Sequence, residues 1–164
     1  MRTELFELGL TEPLAKLLVP VPPMSRVMAD VLARQLSTDT RIASVELFGS
    51  VATHGEGQDI DLVITADEPA PSRFMTLMSQ LSSCAYWYGN EIKSRRLQIV
   101  EQSLPGLLKR VSSVRRDVDL TRIDMFLFPS DWKKRPQEIQ RQLRTWDQNF
   151  VARVAASAVL LYQR

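Results

Sequence analysis

The stretch of sequence that decides the fold runs from residue 45 to residue 64 and reads VELFGSVATHGEGQDIDLVI. Residues 43–48, ASVELF, predict a strand that ends at Gly49-Ser50. Residues 59–64, DIDLVI, predict a second strand, and the turn-rich eight residues between the two strands predict a loop. Two consecutive strands with polar residues at their facing ends indicate that the chemistry of this chain lies there.

The Gly-Ser pair at the end of the first predicted strand is suited to an anion. Gly49 lets the backbone approach a ligand because it has no side chain in the way. Successive backbone amides in such a turn form a concavity that fits a phosphate group. The Ser50 hydroxyl can donate one more hydrogen bond to a phosphate oxygen. We therefore expect phosphate to bind at this turn.

The two aspartates of the second predicted strand are suited to a divalent cation. Because side chains alternate along a strand, Asp59 and Asp61 fall on one face, roughly 7 Å apart at the backbone. Two carboxylates held so close repel each other unless a cation lies between them. Mg²⁺ prefers oxygen ligands, commonly one or two carboxylates together with substrate phosphates. A metal site beside the phosphate-binding turn follows from this pattern.

A third carboxylate would complete such a site, and two candidates remain open. Asp124 lies in the apolar segment RIDMFLF of residues 122–128, where a charge is costly unless it is paired or binds metal. Asp119 is the competing candidate. We prefer Asp124 because no structural role for an acid is evident in such a strand.

This combination resembles the signature of the nucleotidyltransferase superfamily related to DNA polymerase β. That signature is a hydrophobic residue, Gly-Ser, a short loop and then Asp-hydrophobic-Asp-hydrophobic, with a third acid on a later strand. By size the chain is similar to the minimal nucleotidyltransferases of bacteria and archaea. The resemblance implies an α+β fold, with a small mixed β-sheet flanked by helices.

The resemblance also implies an activity and a role for each motif residue. The activity is transfer of a nucleoside monophosphate from a nucleoside triphosphate, such as ATP, to a hydroxyl acceptor by a two-metal mechanism with Mg²⁺ or Mn²⁺. Gly49 and Ser50 would hold the triphosphate. Asp59 and Asp61 would bind both metals, and Asp124 would bind the catalytic metal and act as base. The acceptor stays open between a small molecule such as an aminoglycoside, a protein side chain and an RNA end.

Two positions depart from the family pattern and leave a second interpretation open. Many members carry arginine directly after Gly-Ser and again two residues later, where this chain has Val51 and Thr53. A protein that only binds would tolerate this difference. The alternative is a catalytically inactive binding module, such as the antitoxin of a toxin–antitoxin pair with a helical partner protein.

The rest of the chain predicts one domain, residues 1–164, built from helices around these strands. Its core spans about residues 24–130. A long amphipathic C-terminal helix is expected over about 136–162, because apolar residues there step by three or four. The other expected elements are helices at 3–18, about 24–37 and 72–86, one or two helices within the basic segment 90–116, and a third strand at 121–128.

Composition narrows the class of protein. The chain has 164 residues with a formal net charge of +2, which is too small to indicate nucleic-acid binding by itself. Its one cysteine, Cys84, and one histidine, His54, argue against a disulfide framework and a zinc cluster. No apolar run is long enough to span a membrane, so we expect a cytoplasmic protein. Nucleic-acid binding by the basic segment 90–116 remains a weaker alternative to a solvated helix face.

Overall fold

The computed structural model describes residues 23–67, 100, 102, 104–112, 122–143 and 147–164. Both helices and strands occur in these parts of the chain. In chain order the elements are β1 (Met24–Ser25), α1 (Arg26–Leu36), β2 (Ile42–Phe48), α2 (Gly49–His54), β3 (Glu56–Gly57), β4 (Ile60–Ala66), α3 (Leu107–Ser112), β5 (Ile123–Phe128), a 3₁₀ helix (Trp132–Lys134), α4 (Pro136–Gln142), α5 (Phe150–Ser157) and β6 (Val159–Gln163).

The central feature is a four-stranded mixed sheet in the order β5-β4-β2-β6. Strand β4 pairs antiparallel with β2 and parallel with β5, and β6 closes the other side antiparallel to β2. A small second ladder joins β1 to β3, again antiparallel. The predicted fold class, a mixed α+β sheet flanked by helices, is confirmed.

The register of the sheet sorts its residues onto two faces. Leu47 pairs with Leu62, and Leu62 pairs with Met125, so these three buried side chains share one face. The residues one step along each strand lie on the opposite face. Phe48 pairs with Asp61, and Asp61 pairs with Asp124. The alternation therefore brings the two aspartates together at one end of a face whose other strand positions are largely buried.

Helix α1 begins where the sequence provides a cap. The Ser25 hydroxyl accepts a hydrogen bond from the backbone N–H of Met28 at 3.3 Å, which satisfies one of the unpaired donors of the first turn. Its buried side chains are Ala29, Leu32, Ala33 and Leu36. Val27 lies off this buried face, and its side chain is 61% exposed. Two alanines, Ala29 and Ala33, are buried in the core, where their small side chains allow close packing.

The C-terminal segment corrects the prediction of a long helix over 136–162. Helix α4 ends at Gln142, because Leu143 adopts an extended conformation. Helix α5 begins at Phe150 after the turn formers Asp147 to Asn149, and Ala158 is again extended. The last residues, Val159–Gln163, form strand β6 on the edge of β2. An apolar run of four residues fits a strand as well as a helix, and the open edge of β2 decided between them.

Several predictions fall on other parts of the chain. The helices at 3–18 and 72–86, most of the basic segment 90–116, Cys84 and Asp119 lie outside the described residues. Within the basic segment, α3 agrees with the expected helix. Among the described helices, none is long and apolar enough to cross a membrane.

Candidate active site

The Gly-Ser pair lies where β2 passes into α2. Gly49 has φ of +77°, a left-handed conformation that side chains rarely adopt, and Ser50 follows it on an exposed surface. The expected loop over 51–58 was wrong, because α2 and β3 occupy most of it. Helix α2 has a single full turn, and the Thr53 hydroxyl reinforces it by donating to the Gly49 carbonyl at 3.0 Å. This helix could not be predicted from the sequence, because its six residues begin with one glycine, are followed by another and are too few to show helical periodicity.

Gly49 is also required by its neighbour across the sheet. A Cβ placed on it would lie under 3.0 Å from Oδ2 of Asp61, closer than real Cβ contacts come. The bare Gly49 backbone and the Asp61 carboxylate are therefore in direct contact. This contact places the phosphate-binding turn of the sequence prediction against one of the predicted metal ligands.

Asp61 and Asp124 are the closest match to the predicted carboxylate cluster. They are direct register partners on the parallel strands β4 and β5, and both are partly buried. Neighbouring strands lie about 4.8 Å apart, and direct partners project to the same face. Sequence alone could propose Asp124 but could not place it, since the pairing joins strands that are far apart in the chain.

Asp59 lies in the bend that immediately precedes β4. Arg122, immediately before β5, donates from Nε to the Gln58 carbonyl at 2.8 Å and so fastens this bend to the neighbouring strand. Arg122 was not singled out from the sequence. The signal was present, since Arg122-Ile123-Asp124 runs parallel to Asp59-Ile60-Asp61, but only the register aligns the two triplets.

Comparison with known families identifies the fold. The model of the nucleotidyltransferase domain family matches residues 29–119, more than half of the chain. The chain belongs to this family. The matched span contains Gly49, Ser50, Asp59 and Asp61 and ends before Asp124. No curated protein and no solved structure gives a significant match.

An aromatic cluster lies next to the two aspartates of this nucleotidyltransferase domain. Phe48, the partner of Asp61, makes an edge contact with Phe126 at 5.5 Å between ring centroids. Phe150, at the start of α5, contacts both rings at 5.8 and 5.5 Å. Phe150 is partly buried, and the two rings that it contacts come from strands that are distant in the chain. This cluster gives the aspartate end of the sheet an apolar support.

The metal ligands stay a prediction. Across the described parts of the chain, no group of three or more His, Cys, Asp and Glu side chains is gathered so that it could hold a metal ion. The competing third acid, Asp119, lies outside those parts. His54 is the last residue of α2, and its side chain is exposed. The geometry supports an Asp61–Asp124 pair, with Asp59 beside it in sequence.

Proposed function

We propose that this nucleotidyltransferase-family protein transfers a nucleoside monophosphate from a nucleoside triphosphate to a hydroxyl acceptor. The observation that carries the proposal is the register pairing of Asp61 with Asp124, together with the contact of the Asp61 carboxylate with the bare backbone of Gly49. Membership of the family supports nucleotidyl transfer in general. The paired carboxylates supply the chemistry that such a transfer needs.

Mg²⁺ or Mn²⁺ is the cation that we propose for this end of the sheet, because its acidic side chains are of the kind that hard cations prefer. Asp61 and Asp124 offer carboxylate oxygens from adjacent strands, and Asp59 lies two residues before Asp61 in the bend that precedes β4. Hard cations take few carboxylates and fill their remaining positions with water and phosphate oxygens. When bound, a divalent cation would neutralise the negative charge of the phosphates and polarise the attacked phosphorus. Asp59, Asp61 and Asp124 are the residues that we propose hold it.

The proposed reaction forms one bond and breaks one bond. The acceptor oxygen attacks the α-phosphorus, the bond from that phosphorus to the bridging oxygen breaks, and pyrophosphate leaves with the electron pair. The Asp124 carboxylate accepts the proton of the acceptor hydroxyl. The amides of the Gly49-Ser50 bend and the Ser50 hydroxyl hold the triphosphate in place. Positioning of this kind accounts for most of the catalysis in phosphoryl transfer.

The alternative, a binding module without turnover, is favoured by one observation. Val51 is fully buried, and the Thr53 hydroxyl is engaged with the Gly49 carbonyl. Many family members have a cationic side chain at these two positions, whereas valine and threonine carry no charge. A helical partner protein would be the occupant of such a module.

The test is a labelling assay with matched variants. The protein is incubated with Mg²⁺ or Mn²⁺ and nucleoside triphosphates labelled at the α-phosphate, together with aminoglycosides, protein or RNA as acceptor. Asp59→Asn, Asp61→Asn and Asp124→Asn should each lower labelling by on the order of a hundredfold or more, because each removes a charge that the transition state needs.

Asp67→Asn is the matched control, since Asp67 is an exposed carboxylate directly after the other end of β4 and pairs with Arg164 at 2.6 Å. With this variant, labelling of the acceptor should equal that with the wild type. Labelling that persists in the three site variants would remove the proposed site. A folded wild type that neither labels an acceptor nor binds a triphosphate in calorimetry would favour the binding module.

A further inference from the structure

Gly57, in the short strand β3, faces the serine of the phosphate-binding turn. A Cβ built on Gly57 would lie under 3.0 Å from Oγ of Ser50, at 3.0 Å from the Ser50 Cβ and at 3.2 Å from Cγ2 of Val51. The space that a side chain at position 57 would need is therefore occupied by the Ser50 hydroxyl. Strand β3 and the first turn of α2 can lie this close together because Gly57 has no side chain.

The backbone conformation does not explain why glycine stands at this position. The described glycines with positive φ are Gly49, Gly55 and Gly106, and Gly57 is not one of them. An alanine at position 57 could adopt the same backbone angles without strain. What excludes it is the position of the Ser50 side chain.

The surroundings leave the Ser50 hydroxyl as the part that would have to move. Gly57 is held in a ladder with the buried Met24, and the Gly55 carbonyl accepts from the backbone N–H of Arg26 at 2.8 Å. On the other side, Val51 is fully buried. Rotation of a serine side chain costs little by comparison with shifting these anchored parts. A methyl group at position 57 would thus turn the hydroxyl away from its present place.

We propose that Gly57 is a positioning residue that keeps the Ser50 hydroxyl in place at the Gly49-Ser50 bend for the triphosphate. The inference rests on the proposed function, because it assigns the hydroxyl a phosphate to bind. Gly57 itself does not touch the substrate. Its contribution is the absence of a side chain, which leaves room for the Ser50 hydroxyl.

The test is a double-mutant cycle on triphosphate affinity, measured by calorimetry with Mg²⁺ and a non-hydrolysable nucleoside triphosphate. Ser50→Ala and Gly57→Ala should each weaken binding roughly tenfold, the loss expected for one hydrogen bond to a charged group. The double variant should bind no more weakly than Ser50→Ala alone, because both changes remove the same hydrogen bond. Glu56→Ala, at the exposed neighbouring position of β3, should bind like the wild type.

Each outcome separates the inference from the function it rests on. Binding by Gly57→Ala at wild-type affinity, or losses that add in the double variant, would overturn the role of Gly57 and leave the proposed function intact. A folded wild type that binds no triphosphate would overturn both. If Gly57→Ala does not fold, Ser50→Gly in the same chain removes the opposing side chain. Recovery of folding would support the contact, and failure to recover would contradict it.

Discussion

At the scale of single residues, Asp39 shows how one buried carboxylate fastens the corner between α1 and β2. Its Oδ2 accepts from Nη2 of Arg41 at 2.6 Å and lies 3.2 Å from Nη1 of Arg110, which comes from α3. The side chain is only 5% exposed. Hydrogen bonding by Arg41 above all, with the charges of Arg41 and Arg110, lowers the pKa of Asp39 to about 2. The ionised form is therefore the stable one in the folded protein.

Replacing Asp39 by asparagine tests this corner. The lowered pKa means that the charge stabilises the fold by about 2 kcal/mol, fully present above the unfolded value near pH 4 and lost as the pH falls toward 2. We expect Asp39→Asn to lower the free energy of unfolding by about that amount at pH 7. The difference from wild type should shrink as urea denaturation is repeated from pH 5 down to pH 2.

The control for Asp39 is an exposed acid in the same region. Asp30 pairs with Arg26 one helical turn away at 3.2 Å, and both side chains are well exposed. Surface pairs of this kind contribute about 0.5 kcal/mol or less. Asp30→Asn should therefore change the free energy of unfolding little. An Asp39→Asn effect that is equally small, or that does not depend on pH, would contradict the account of the corner.

At the scale of helices and strands, the aromatic cluster joins α5 to the aspartate end of the sheet. Phe150→Ala removes the ring that contacts both Phe48 and Phe126. We expect the free energy of unfolding to fall by about 2–3 kcal/mol, at or below the lower limit of the range for buried phenylalanines because Phe150 is only partly buried. Urea denaturation measures the change.

Two further variants make the Phe150 prediction specific. Phe150→Leu keeps most of the volume and should cost less than about 1.5 kcal/mol. Val27→Ala alters a side chain that is 61% exposed and should change little. Equal stability of Phe150→Ala and Val27→Ala would show that α5 does not depend on the cluster.

The strands and helices differ in how well the apolar pattern of the sequence predicts them. Strands β2, β4 and β5 were predicted within two residues at each end, because buried strands of the sheet carry dense apolar runs between turn formers. Helix α2 was missed because six residues cannot show a helical period. The prediction that the helix continues to about residue 162 was wrong because the apolar run Val159-Leu160-Leu161-Tyr162 suits either a helix or a strand.

At the scale of the whole molecule, β6 completes the sheet with residues from the far end of the chain. It pairs with β2 from Ser44 to Leu47, and the backbone N–H of Arg164 extends the ladder to the Ala43 carbonyl at 2.9 Å. Strand β2 thereby has a partner on both sides, which matters because it leads into the Gly49-Ser50 bend. The C-terminal residues thus support the candidate site through the sheet.

Truncating the chain after Ser157 tests this support. The edge of β2 would lose its ladder and the apolar cover from β6, so we expect a drop of several kcal/mol in the free energy of unfolding, on the order of 3. Calorimetric or urea unfolding of the purified protein measures it.

Truncation after Gln163 is the control for that experiment. It removes Arg164 with its exposed ion pair to Asp67, its side-chain hydrogen bond to the Thr40 carbonyl and one backbone hydrogen bond, and it should cost about 1–2 kcal/mol, less than the loss of β6. A chain ending at Ser157 with unchanged stability would show that β6 is dispensable for the sheet.

The sequence by itself determined the family motif: the bend at Gly49 and Ser50, the aspartates at 59 and 61, and the strands that carry them. These features are local, since alternation and turn chemistry act within a few residues. Only the tertiary structure brought Asp124 opposite Asp61, aligned Arg122 with the bend before β4, set Gly57 against Ser50 and turned the last residues into β6. The positions of Asp124, Arg122 and β6 depend on pairing between distant segments, and Gly57 is held in place by the ladder of β3 with β1. Strand register is a property of two partners that neither sequence segment contains alone.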